Sequence, residues 1–113
     1  MYIDGKVWIG NNDQGERIST IPKMVNRHGL VAGATGTGKT VTLKVMAETF
    51  SDMGIPVFMA DVKGDIAGMM NPGTDSEDMQ KRIEKFNLTD AGFAYKGYPV
   101  TLWDIYGVKG IQL

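Results

Sequence analysis

The sequence predicts an α/β fold, and three observations point to it. Residues 33–40 read GATGTGKT, with Gly33, Gly38, Lys39 and Thr40 at the fixed positions of the phosphate-loop pattern G-x-x-x-x-G-K-[ST]. Before the loop, His28-Gly29-Leu30-Val31-Ala32 is short and apolar, as a buried strand is. After it, residues 41–53 read as a helix. Strand, glycine loop and helix in succession are the context such a loop needs. The expected architecture is a P-loop NTPase-like partial parallel sheet with flanking helices, preceded by a short N-terminal β meander. The meander is assigned to residues 1–22, and the N-terminal part of a P-loop ATPase domain, incomplete, to residues 23–113.

The meander comes first. Asp4-Gly5 is a hairpin turn signal, and Lys6-Val7-Trp8-Ile9 is a strand candidate. Residues 11–15 are dense in turn formers. Arg17-Ile18-Ser19-Thr20-Ile21 alternates polar and apolar, as a half-buried strand does, and Pro22 ends it. Trp8 is read as a packing residue in preference to a platform for an adenine base.

In the helix after the loop, Lys44, Glu48, Ser51 and Asp52 form one polar stripe. Apolar side chains cover most of the remainder, so burial between a sheet and another layer is expected. Gly54 is a C-terminal cap candidate. Residues 55–61, IPVFMAD, read as a buried parallel strand ending in Asp61. The β-loop-α-β unit is expected to be right-handed. Ligands in such sheets sit at the carboxyl ends of the strands, which assigns Asp61 to the rim of the phosphate loop.

Thr74-Asp75-Ser76-Glu77 fits a capping box ahead of a surface helix of about twelve residues. Met79, Ile83 and Phe86 form its apolar face. Glu77–Lys81 and Asp78–Arg82 are expected as i, i+4 pairs. Residues 98–104 are a third strand candidate, also ending in a carboxylate, Asp104.

The bulk numbers narrow the function. The chain has 113 residues, enough for one domain at most. Twelve basic and thirteen acidic residues give a formal net charge of −1, with no whole-chain signature for nucleic acid or acidic lipid. With no cysteine there is no disulfide framework and no zinc-thiolate site, which fits a cytoplasmic protein. No run approaches the ~20 apolar residues of a membrane span. The eight methionines read as flexible core filler. His28, the only histidine, has no second ligand nearby and reads as structural.

The loop names the ligand class. Gly33, Ala34, Thr35, Gly36, Thr37, Gly38, Lys39 and Thr40 are the nucleotide-binding candidates. Their backbone N–H groups, and the positive end of the next helix, suit a polyphosphate. Lys39 is expected to reach the β- and γ-phosphates, and the Thr40 hydroxyl to ligate Mg²⁺. Lys39 and Asp61 are the catalytic candidates, Asp61 through the Mg²⁺ shell or its waters. The bland alternatives are a Gly/Thr-rich turn with a surface lysine and a strand-end aspartate. ATP and Mg²⁺ are the expected cofactors. Of Arg17, Arg27 and Arg82, none is placed like an arginine finger.

Asn26-Arg27-His28-Gly29-Leu30, running into GATGTGKT and Val41-Thr42-Leu43, resembles bacterial HerA-like helicases of the HerA/FtsK superfamily of P-loop ATPases. Residues 57–65, VFMADVKGD, resemble the superfamily's Asp-x-Lys-Gly segment, and residues 98–104 its next strand. The likeness covers most of residues 20–106. It implies a homo-hexameric ring ATPase acting on double-stranded DNA, away from membranes, with residues 33–40 on nucleotide and Asp61, Lys63 and Asp65 on the site rim. Adenine in preference to guanine comes from the resemblance as well. The later magnesium-holding strand, catalytic acid, sensor residues and trans arginine of that family have no counterpart here, so the chain is expected to be the N-terminal part of a larger protein. Two alternatives stay open: a non-catalytic nucleotide-binding module, and a small phosphotransferase using the same loop.

Overall fold

The computed structural model describes residues 1–112. Two compact units divide the chain. The first comprises Met1–Phe58 with Asp75–Ala94; the second comprises Met59–Thr74 with the chain from Tyr95 onward. The architecture is mixed α/β, with a short antiparallel sheet and a two-stranded parallel pair.

In the first unit, β1 (Tyr2–Ile3), β2 (Lys6–Asn11) and β3 (Arg17–Thr20) form an antiparallel meander in that order. Asp4 and Gly5 both take positive φ, 51° and 72°, as a two-residue hairpin turn of the type matching strand twist requires. The second turn is wound on Asn12, whose Oδ1 accepts from the N–H groups of Gln14 (3.0 Å) and Glu16 (2.8 Å). β2 and β3 pair Val7 with Thr20 and Trp8 with Ser19, then shift by a bulge so that Gly10 meets Ile18. The Trp8 indole N–H donates to the Gly10 carbonyl at 2.7 Å and to Asn11 Oδ1 at 2.9 Å, across that bulge. The Arg17 guanidinium lies 5.2 Å from the ring centroid. A tryptophan 6 % exposed with its polar atom satisfied is a packing residue.

The meander packs on α1 (Lys39–Asp52). Val7, fully buried, and Ala47 sit in this small core with Trp8. Burying Val7 stabilises by about 1.5–3 kcal/mol. Thr49 is also buried; its hydroxyl avoids an unpaired state by donating to the Val45 carbonyl one turn back, at 2.6 Å. The polar stripe of α1 acts on the N-terminal ammonium. Burial lowers the pKa of the Met1 ammonium, while the Glu48 and Asp52 carboxylates oppose that shift. The ammonium also donates to the Trp8 carbonyl at 3.0 Å. Lys44, Glu48 and Ser51 are half-buried, and Asp52 is exposed.

Burial of α1 on two sides does not occur: Val41 and Leu43 stay about half exposed. α1 ends as expected. Gly54, at φ 76°, donates to the Ser51 carbonyl, and Ile55 donates to that of Phe50, both at 2.9 Å. These two bonds are the Schellman closure.

α2 (Glu77–Lys85) is shorter than its apolar pattern suggests. Its N-cap is Ser76, whose hydroxyl accepts from the Met79 N–H at 3.2 Å, so the expected capping box on Thr74 is corrected by two residues. Asp75 instead accepts from the Gln80 side chain. Among the described residues the charge pair is Lys81–Asp78 at 3.8 Å, one residue closer in spacing than the i, i+4 pairs expected; both groups are largely exposed, so it contributes little. Asn87, at φ 49°, closes α2 in the way Gly54 closes α1.

The second unit contains a short 3-10 turn (Ala67–Met70), β4 (Trp103–Asp104) and β5 (Ile111–Gln112). Tyr98 N–H donates to the Met69 carbonyl at 2.9 Å, and the chain runs so close there that a Cβ on Gly97 would overlap the Met70 carbonyl. β4 and β5 pair in parallel, Trp103 with Ile111 and Asp104 with Gln112.

The expected parallel sheet is corrected here. Residues 28–32 and 55–61 form no strand, and of residues 98–104 only the last two do. Leu30 is 89 % and Phe58 88 % exposed. A strand exists by its pairing, since its N–H and C=O groups need lateral partners. Among the described residues, 28–32 and 55–61 are in neither sheet. His28, read as structural at a strand entry, is exposed in such an unpaired run.

Candidate functional site

Residues 33–40 fold as a turn that enters α1 directly. Gly36 (φ 80°) and Gly38 (φ 92°) take left-handed conformations that a side chain at either place would oppose. Gly38 is the N-cap of α1, and no side chain caps that end. The first N–H groups of a helix have no intrahelical acceptor, so this terminus offers unclaimed donors and roughly half a positive charge. Residues 33–37 and Thr40 are exposed, and Gly38 and Lys39 are half-buried.

One carbonyl organises the loop. The Ala34 oxygen accepts from Lys39 Nζ at 2.6 Å, from the Thr37 hydroxyl at 2.7 Å and, at 3.4 Å, from the Thr37 N–H. The Lys39 ammonium is thereby folded back across its own loop. Gly33 lies against Thr37, where a Cβ would stand 2.6 Å from the hydroxyl oxygen. Deeper in α1, Thr42 Oγ1 donates to the Gly38 carbonyl at 3.2 Å and its N–H to the same oxygen at 2.9 Å, fixing the first turn.

The structure brings Gly33, Ala34, Thr35, Gly36, Thr37, Gly38, Lys39 and Thr40 into this one loop. Asp61 belongs to the second unit. Its Oδ1 accepts from the N–H groups of Gly64 (2.8 Å) and Asp65 (3.2 Å), and its Oδ2 from Ile66 (2.8 Å). The Ile66 N–H first, with Gly64, Asp65 and Lys63 adding to it, holds the carboxyl below the usual carboxylate range. The aspartate staples the Asp-x-Lys-Gly-Asp loop to itself.

Asp104, read from the sequence as the carboxylate ending a strand candidate, builds an equivalent loop. Oδ1 accepts from Tyr106 N–H at 2.9 Å, and Oδ2 from Val108 at 2.9 Å and Lys109 at 3.0 Å. Its carboxyl is also held low, by Lys109 first and then Tyr106. The signal was present: Asp61-Val62-Lys63-Gly64 and Asp104-Ile105-Tyr106-Gly107 share an Asp-x-x-Gly spacing, with Gly64 at φ 79° and Gly107 at φ 66°.

As a test of fit for Mg²⁺, no group of three or more His, Cys, Asp or Glu side chains converges among the described residues. The donor set here is instead a hydroxyl, Thr40, at a helix start. That suits a hard cation held mainly by phosphate oxygens and water, and does not suit a cation caged by the protein. Among the described residues, no helix is long and apolar enough to cross a membrane.

Comparisons with curated proteins and with solved structures find no match. Comparison with protein families matches residues 6–113 to the one described as Helicase HerA-like C-terminal. That match runs from the meander through the glycine loop and both Asp-x-x-Gly loops, and the chain belongs to the Helicase HerA-like C-terminal family.

Proposed function

We propose that this chain binds ATP with Mg²⁺ through residues 33–40, as part of a helicase or translocase ATPase that couples hydrolysis to movement on DNA. The observation that carries the reading is the start of α1: a helix N-terminus without a side-chain cap, entered through Gly36 and Gly38, with a lysine one residue inside. Lys39 Nζ rests on a neutral carbonyl. A phosphate oxygen is charged and is the stronger acceptor, so the ammonium moves to it at little cost. Thr40 is the Mg²⁺ ligand in this reading, and the loop with α1 is the part of a phosphate-loop NTPase fold that it draws on. Family membership supports the helicase setting; double-stranded DNA and a homo-hexameric ring are part of the same proposal.

Asp61 has a narrower place. Both of its oxygens already accept backbone N–H groups, which commits the carboxylate to its own loop. That observation favours, as a second reading, a module that holds nucleotide without turning it over.

Isothermal titration of the chain with ATP, with and without Mg²⁺, tests the proposal beside Lys39→Ala. Mg²⁺-dependent binding is expected, with negligible turnover. Removing the ammonium, a charged hydrogen-bond donor, is expected to weaken binding about ten- to hundredfold. Equal binding by Lys39→Ala would remove the phosphate-loop assignment. Robust hydrolysis by the chain would remove the second reading.

A further inference from the structure

We propose that Thr37 is a positioning residue that keeps the phosphate loop in its receptive shape when Lys39 leaves for the nucleotide. The inference rests on the nucleotide reading above and adds to it a division of labour around one carbonyl.

A carbonyl oxygen has two lone pairs. At Ala34 the two short bonds come from the Lys39 ammonium and the Thr37 hydroxyl, and the Thr37 N–H makes the long third contact. When a polyphosphate draws Lys39 away, a carbonyl held by lysine alone loses its strong donor and the turn is free to swing. The Thr37 hydroxyl prevents this. It comes from within the turn, at i+3, and its bond to Ala34 does not depend on where Lys39 points.

The same hydroxyl explains why residue 33 is a glycine. Gly33 has no left-handed φ, so backbone freedom is not the reason. The reason is space: a Cβ there would stand 2.6 Å from Thr37 Oγ1, while it would meet the Thr37 Cβ at 3.5 Å and Lys39 Cγ at 3.6 Å, both ordinary contacts. The conflict is with one oxygen atom. Gly33 and Thr37 are therefore coupled, and a change at one is conditional on the other.

The experiment is a set of ATP titrations in the presence of Mg²⁺, with a thermal melt of each variant to show that it folds. Thr37→Ala removes one hydrogen bond and is expected to weaken ATP binding about three- to tenfold, with its melting temperature unmoved. Thr37→Ser keeps the hydroxyl and is expected to bind as the parent does. Gly33→Ala is expected to weaken binding more than Thr37→Ala. The Gly33→Ala, Thr37→Ala double variant is expected to recover to the level of Thr37→Ala alone, because the obstructing oxygen is gone. A double variant no better than Gly33→Ala overturns the proposal, as does a Thr37→Ser variant as weak as Thr37→Ala. Lys39→Ala separates the two levels. If it binds ATP normally, the nucleotide reading falls and the positioning role with it. If it is impaired while the double variant shows no recovery, only the positioning role falls.

Discussion

Two loops in this molecule handle backbone N–H groups in opposite ways. Residues 33–40 lead into α1 with no side-chain cap at Gly38, and the one charged residue within the loop, Lys39, is a cation. Residues 61–66 turn just as tightly, but Asp61 supplies the anion from within and three N–H groups close on it. One loop leaves the N–H groups of its helix start without a side-chain acceptor, and the other has supplied its own. Glycine at positive φ occurs in both, so glycine content does not separate them. The separating feature is whether a carboxylate precedes the turn, as at Asp61 and Asp104, or an ammonium follows it, as at Lys39.

The strongest way to break this contrast is to remove the cation from the receptive loop. That is the Lys39→Ala titration, with the largest expected effect. Next, Gly38→Ala places a Cβ on a residue at φ 92°, which costs about 1–2 kcal/mol in the first turn of α1. Urea unfolding should register that loss, and ATP binding should fall with it. A Gly38→Ala variant of parent stability would mean that the left-handed entry is not required.

Asp61→Ala tests the other loop. It leaves the N–H groups of Gly64, Asp65 and Ile66 without their acceptor, and their amide exchange should quicken several-fold while that of α1 is unchanged. Asp61→Asn keeps one acceptor oxygen and should fall between the two. Unchanged exchange at Gly64 in Asp61→Ala would show that the loop holds without its staple.

The smallest effect is that of pH. Asp61 and Asp104 both titrate below the ordinary value of 3.8. A depressed carboxyl contributes order that is fully present above the unfolded value and lost as the pH falls through the folded one. Amide signals of residues 64–66 and 106–109 should therefore hold down to 3.8 and shift only below it. A shift beginning well above that value would contradict the hydrogen-bond pattern at both aspartates.

What could be read from the sequence divides along the same line as the two loops. Features set by neighbours in the chain were legible. The Asp4-Gly5 turn, the start of α1 after GATGTGKT and the Gly54 closure each depend on a few adjacent residues. The cap of α2 was nearly so: Thr74 and Ser76 are both hydroxyls, and the choice falls on the one whose oxygen reaches the Met79 N–H. Residues 28–32 and 55–61 were not legible, because an apolar run states only that it suits burial; it carries no information on which strand pairs with it. In the candidate site, the glycine and lysine spacing was legible. The Ala34 carbonyl was not, since every residue carries such an oxygen and only the fold selects one.

The pair β4–β5 carries one more consequence. Parallel strands usually need a crossover of a dozen or more residues, yet only residues 105–110 lie between these two. The chain manages this by winding around Asp104, with Tyr106, Val108 and Lys109 tied to its carboxylate and Gly110 pressed against the Leu102 carbonyl. Such a loop has a fixed circumference. Single substitutions on its outer side, at Ile105 or Val108, are free to drift, but a gain or loss of one residue leaves the winding incommensurate with its peg. Length, more than composition, is the quantity that this segment must keep.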